Sequence, residues 1–184
     1  MDRLDEECSL PALETERLAL RPLAASDEAF LIELDTDPLV MQYVHTGPLT
    51  QKQAVSLAQC QIEAMRYRRF FGRWMVVDRR TQERLGWMEL HRLSGPAGDD
   101  LQAGYQFAPR HWNQGYATES LRRLVRFAFE ERRLSRVGAM ARAENAASNR
   151  VLEKCGFVRT DRTELDGAEL PCIVWFCPAP GANE

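Results

Sequence analysis

Hydrophobic and polar positions alternate in some stretches of this chain and recur at helical spacing in others, and the two periods mark out its elements. RLALRPL (17–23) alternates Leu with Arg and Ala and predicts a half-buried strand ended by a proline. Ser26 and Asp27 open a helix with Phe30, Leu31 and Leu34 on one face, which stops before Pro38 because the residue ahead of a proline avoids helical geometry. A short piece near Val40 to Val44 and the loop HTGPLT follow. Thr50 and Gln53 have the spacing of a capping box for a helix running to about Arg68.

From Phe70 the period shortens. FFGRWMVVD (70–78) and RLGWMELHRL (84–93) are aromatic and β-branched runs joined by RRTQE, so they should pair antiparallel. SGPAGDD makes a second turn, and LQAGYQFAP (101–109) sets Leu101, Ala103, Tyr105 and Phe107 against Gln102, Gly104, Gln106 and Ala108 as the third strand of a meander. A helix then carries Ala117, Leu121, Leu124, Val125 and Ala128 as a core-facing stripe, with an Arg-rich outer face. RVGAMARA (136–143) is strand-like, and Asn145 opens a short helix running to Cys155. There Gly156 supplies a left-handed cap and Phe157 its hydrophobic contact. CIVWFC (172–177) is a last strand after a turn at Asp166-Gly167. With no internal repeat, this order predicts one α/β domain over 13–178, between an arm at 1–12 and a tail at 179–184. Its sheet should be mixed, mostly antiparallel and flanked by helices.

Composition narrows the function. At 45% apolar, 28% charged and a net charge of −3, the chain can build a core and lacks the basic face of a nucleic-acid-binding module. No apolar run approaches the ~20 residues that span a bilayer, and the first eleven residues are acidic where a signal peptide is basic. The expectation is a cytoplasmic protein with no membrane partner. Cys8, Cys60, Cys155, Cys172 and Cys177 form no C-x-x-C pair, so neither a metal site nor a disulfide framework is expected.

The chemistry gathers at RHWNQGYATES (110–120), which opens a helix. A helix N-terminus offers unpaired N–H groups and about half a positive charge, and Gly115 and Ala117 allow an anion close to the backbone from Gln114 to Thr118. Thr118 can add a hydroxyl. The alternative is that Asn113 merely caps the helix; spacing leaves both open. One strand later, ENAASNRVLEKCGF (144–157) opens a second helix.

Together, PRHWNQGYATESL and ENAASNRVLEKCGF resemble the paired acyl-CoA-binding motifs of the GNAT N-acetyltransferase superfamily. LETERLALRPLAASDEAF and GRWMVVDRRTQERLGWMEL are similar to its branch that acetylates ribosomal-protein N-termini, so the likeness covers about residues 13 to 178. The resemblance implies acetyl-CoA as cosubstrate and a pyrophosphate loop on Trp112, Asn113, Gln114, Gly115, Tyr116 and Ala117. Trp112 departs from the general Arg or Gln but leaves the amides in place. The resemblance also implies a pantetheine arm along the main chain from Tyr105 to Ala108, passing Asn145, Ser148 and Asn149.

An acetyl thioester is already activated, so the protein must hold a neutral amine, polarise the carbonyl and protonate the leaving thiolate. An N–H near Phe107 or Ala108 would polarise it. Ser148, which faces the site in the resembling motif, is the candidate proton donor. Relatives often place a Glu base where this chain has Gln102, a neutral amide that cannot take a proton. Glu89 and His91, on one face of the preceding strand, are the alternatives, directly or through water. The resemblance points to a protein N-terminal α-amine as acceptor. A small-molecule amine (antibiotic, polyamine or amino acid) and a non-catalytic acyl-CoA sensor stay open, and homodimerisation is a further expectation from relatives.

Overall fold

The computed structural model describes residues 10–44, 47–65, 72–92, 101–165 and 171–181. Their sheet has eight strands in the order β1 (Leu13–Glu14), β2 (Leu18–Pro22), β3 (Arg73–Asp78), β4 (Arg84–Arg92), β5 (Leu101–Phe107), β6 (Arg136–Ala141), β8 (Pro171–Pro178) and β7 (Val158–Leu165). Every neighbouring pair is antiparallel except β5 and β6, which run parallel. This is the mixed, mostly antiparallel α/β sheet that the sequence predicts. The predicted turns at 94–100 and 166–167, residues 45–46 of HTGPLT and the helix end at Arg68 lie outside the described residues.

Both faces of the sheet are covered, which is why the WMVV run of β3 shows no alternation. Trp74 and Val76 join the core under α4 (Tyr116–Arg126), with Leu121, Leu124 and Phe127. Met75 and Val77 join a second core under α1 (Glu28–Thr36), with Phe30, Leu31 and Leu34. The piece expected near 40–44 is instead a helical turn, α2 (Pro38–Met41). Its first position is a proline, and the Asp37 carboxylate accepts from the Leu39 N–H at 2.8 Å. α3 (Gln51–Ala64) starts with the expected Thr50–Gln53 capping box.

α4 runs into a π-helical turn, Phe127–Glu131, closed by the Arg132 N–H on the Phe127 carbonyl at 3.1 Å. α5 (Ala146–Lys154) ends as expected, with Gly156 at φ +83° and the Phe157 N–H on the Leu152 carbonyl at 3.1 Å. Two features go beyond the sequence reading. β7, VRTDRTEL, is a polar edge strand without a periodic signature. The arm expected to last to residue 12 is already in the core by Leu10, and the Pro11 carbonyl accepts the Trp74 indole N–H at 2.7 Å.

Candidate active site

The only parallel seam among the described strands is also the weakest. β5 and β6 pair in register only at Gln102 and Gly138, and beyond that point they part. Antiparallel ladders alternate the direction of their polar groups, so the register with β4 decides which β5 groups face the gap. The Ala108 N–H reaches the Leu85 carbonyl of β4 at 3.0 Å, and the Ala108 carbonyl accepts from His111 at 2.9 Å. Ala108 is therefore fully paired and cannot polarise a bound carbonyl, which corrects the expectation that included it. Phe107 and Tyr105 point their main-chain groups the other way, into the gap. The Phe107 carbonyl is held by the Trp112 indole N–H at 2.7 Å, leaving its N–H toward the opening.

A 3-10 turn, Pro109–His111, leads into the loop ahead of α4. Asn113 does not cap the helix: it adopts φ +59°, and the N-cap is Gly115 at φ +80° and ψ 0°. Left-handed residues at 113 and 115, with Gln114 between them outside that region, curl the backbone into a concave nest of N–H groups. Among the described residues none of the main-chain N–H groups from Asn113 to Thr118 has a hydrogen-bond partner, and Asn113, Gln114 and Gly115 are exposed. A Cβ on Gly115 would meet only the Arg17 guanidinium, at 3.5 Å. The loop thus fits a diphosphate.

On the far wall of the gap, Asn145 caps α5 by accepting the Ser148 N–H at 3.0 Å. Asn149 donates its amide to the Arg142 and Ala143 carbonyls, at 3.3 and 3.1 Å, while its side-chain oxygen is buried without a protein partner. The Ser148 hydroxyl lies 2.9 Å from the Tyr105 hydroxyl, which reaches across the gap from β5 to α5. Burial raises the Tyr105 phenol above its ordinary pKa, against the effect of the Ser148 hydrogen bond, so it stays protonated and able to donate. The alternation of β5 set Tyr105 in a stripe with Leu101, Ala103 and Phe107, and that place hides its polar tip.

The gap opens into a cavity of about 430 Å³ that extends under α1 and α3. Its amine-side wall includes Arg73, Glu89, His91 and Gln102, brought together by cross-strand register: Arg73 opposite Glu89, and His91 opposite Gln102. The Arg73 guanidinium grips Glu89 Oε2 at 2.7 and 3.0 Å and stacks on the Trp87 ring at 3.8 Å. His91 Nδ1 is 3.2 Å from Glu89 Oε1, and the Gln102 amide nitrogen contacts His91 Nε2. With the Gln102 amide nitrogen as donor, Nε2 is the acceptor and the ring proton falls to Nδ1, on the Glu89 side. Gly104 sits opposite Glu89, where a Cβ would come within 3.0 Å of the carboxylate.

Burial alone would push the Glu89 carboxyl up, but the Arg73 charge and the His91 contact outweigh it and hold it down at about 2. A carboxylate so stabilised is a poor proton acceptor, which argues against Glu89 as a direct base. Arg73 carries no motif of its own and was missed, since only the strand register reveals its partner. Among the described residues no group of His, Cys, Asp or Glu could hold a metal ion, and no helix is long and apolar enough to cross a membrane.

Residues 17–158 match the family described as "Acetyltransferase (GNAT) domain". The uncharacterized N-acetyltransferase YoaA of Bacillus subtilis is 34% identical over 148 residues, covering 80% of this chain and 82% of that protein. The FsC-acetyl coenzyme A-N(2)-transacetylase of Aspergillus fumigatus is 34% identical over 158 residues, 82% of this chain and 66% of that one. In fold, the chain resembles the spermidine N-acetyltransferase of Vibrio cholerae, solved with CoA and spermine, at a TM-score of 0.73 and 19% identity over 92% of this chain and all (100%) of the other. The chain belongs to the GNAT family of N-acetyltransferases, enzymes that use acetyl-CoA.

Proposed function

We propose that this chain acetylates a compact molecule carrying an α-amine, seated in the cavity beside His91 while the loop from Asn113 to Thr118 holds the diphosphate of acetyl-CoA. The observation that carries the reading is one cavity of about 430 Å³ at the gap between β5 and β6, lined by both Ser148 and His91, together with the unpaired amides of the loop that follows β5. That volume lies within the ~300–1,000 Å³ range of small-molecule sites.

Bound acetyl-CoA supplies an activated acyl group on a thiol leaving group. The Phe107 N–H polarises the carbonyl, and the Tyr105 and Phe107 main chain aligns the arm that carries it, with Asn145, Ser148 and Asn149 on the facing wall. Trp112 holds the Phe107 carbonyl and so fixes the 107–108 peptide group that follows that N–H in the chain. The Ser148 hydroxyl donates a proton to the departing sulfur and is resupplied through the Tyr105 hydroxyl. On the amine side, His91 Nε2 takes the proton released by the acceptor once Gln102 gives way, and Glu89, fixed by Arg73, keeps the ring oriented through Nδ1.

The amine type follows from the weak base. With reference pKa values of ~7.8 for an α-amine and ~10.4 for Lys, roughly a tenth of the former is neutral at pH 7 but under a thousandth of the latter. The name of the Aspergillus relative, an N(2)-transacetylase, supports a small acceptor; the ribosomal-protein-like motifs favour a second reading, a peptide N-terminus. Free thiols at Cys60, Cys155 and Cys177 suit a cytoplasmic enzyme. Thiol release from acetyl-CoA, measured with a panel of amino acids, polyamines, antibiotics and N-terminal peptides, tests the proposal. Turnover with small α-amines is expected. Turnover with peptides alone would move the assignment to the second reading, and binding without turnover on every acceptor would leave a sensor.

A further inference from the structure

Arg17 lies one residue ahead of β2, roughly a hundred residues from the phosphate loop in sequence, yet in space it underlies the loop. Its Nη1 donates to the Gln114 carbonyl at 3.1 Å. Its Nε and Nη2 both reach Glu119 Oε2, at 2.7 and 2.6 Å, and its guanidinium stacks on the Tyr116 ring at 4.6 Å. The second Glu119 oxygen accepts the Thr15 hydroxyl at 2.6 Å and the Arg17 main-chain N–H at 3.1 Å. The guanidinium is therefore clamped at its far side and presents one N–H to the loop.

A trans peptide group is planar, with its C=O and N–H pointing in opposite directions. Fixing the Gln114 carbonyl toward Arg17 therefore aims the Gly115 N–H away from the body of the protein, into the open nest. The next group is fixed likewise: the Glu119 N–H holds the Gly115 carbonyl at 3.0 Å, so the Tyr116 N–H points out along the helix axis. Charge adds a second reason. Glu119 lies in the first turn of α4, where a free carboxylate would repel a bound diphosphate. Arg17 neutralises it.

Resting on the reading that the loop holds the diphosphate, we infer that Arg17 is a positioning residue for the cosubstrate, orienting the Gly115 amide toward the phosphates and cancelling the Glu119 charge beside them. Calorimetric titration with CoA and with pantetheine, the same thiol arm without diphosphate or nucleotide, separates this role from a structural one. Arg17→Met should weaken CoA about tenfold, in keeping with loss of an oriented charge-assisted contact, and leave pantetheine within about twofold. Arg17→Lys should behave like Arg17→Met, because an ammonium cannot hold Glu119 and the Gln114 carbonyl together in this fork geometry. Arg17→Gln, which likewise removes the charge and the fork but keeps a polar side chain, provides the same comparison if Arg17→Met does not fold. Equal weakening of both ligands, no weakening of either, or full recovery in Arg17→Lys would overturn the inference. A wild-type protein that binds CoA no more tightly than pantetheine would instead defeat the diphosphate reading on which it rests.

Discussion

On the cosubstrate side of the cleft the groups facing the ligand are mostly main-chain: the amides from Asn113 to Thr118 and the polar groups of Tyr105 and Phe107 left over where β5 parts from β6. On the amine side they are side chains, Arg73, Glu89, His91 and Gln102, carried on three strands and meeting only through register. Main-chain recognition needs a backbone shape, which a few small residues in one short segment can specify. Side-chain recognition needs several distant residues to arrive together. The first can be conserved in form while the second is rebuilt for each acceptor, so the two halves should fail independently when mutated.

Gly115→Glu strikes the first half hardest. A carboxylate over the nest, at a φ of +80° that costs an L-residue about 1 kcal/mol, should weaken CoA by at least about a hundredfold while the fold stays intact. Calorimetry and a melting curve on the same sample check both parts. Unchanged CoA affinity would remove the loop from the account.

Arg73→Met breaks the second half. It leaves Glu89, only 19% exposed, without its cation, and breaking such a pair costs about 3–5 kcal/mol. CoA affinity should stay within about twofold, and turnover should fall as His91 loses its support. The pH dependence has a definite sign. Because the Glu89 carboxyl is depressed from 4.5 to about 2, the wild-type pair stabilises the fold above pH 4.5, and this is lost as pH falls through about 2. The depression corresponds to about 3 kcal/mol at most. In Arg73→Met, where burial pushes the Glu89 carboxyl up, this acid loss should disappear and the variant's deficit relative to wild type should shrink as pH falls, seen by denaturant melts across the acid range.

Ser148→Ala tests the join between the halves. Turnover should drop about tenfold with CoA affinity little changed, as for removal of a proton donor that acts on the leaving group. An equal loss in affinity and turnover would make Ser148 a binding residue only. The smallest effect is expected from Trp112→Phe, which leaves the Phe107 carbonyl without its indole partner and should weaken CoA about threefold to fivefold.

The same contrast governs what the sequence disclosed. The 110–120 and 144–157 segments are local, so their helix openings, the Gly-x-Ala spacing and the Gly156 end could be read directly. Even there, spacing left open whether Asn113 caps the helix, and only its φ of +59° shows that the chain turns once more before Gly115. The Arg73–Glu89 and His91–Gln102 pairs depend on register through a hairpin that carries a bulge at Val76 and Val77, and a shift of one residue would turn Glu89 to the other face. β7 escaped because it is a polar edge strand without an alternating pattern. The Arg17–Glu119 clamp joins segments that only the completed sheet brings together.

A crystal structure of the chain with CoA bears most directly on the central claim. The account predicts diphosphate oxygens about 3 Å from the N–H groups between Gln114 and Thr118, the pantetheine arm beside Tyr105 and Phe107, and the thiol within reach of the Ser148 hydroxyl. A diphosphate bound elsewhere, with those amides still facing solvent, would contradict it.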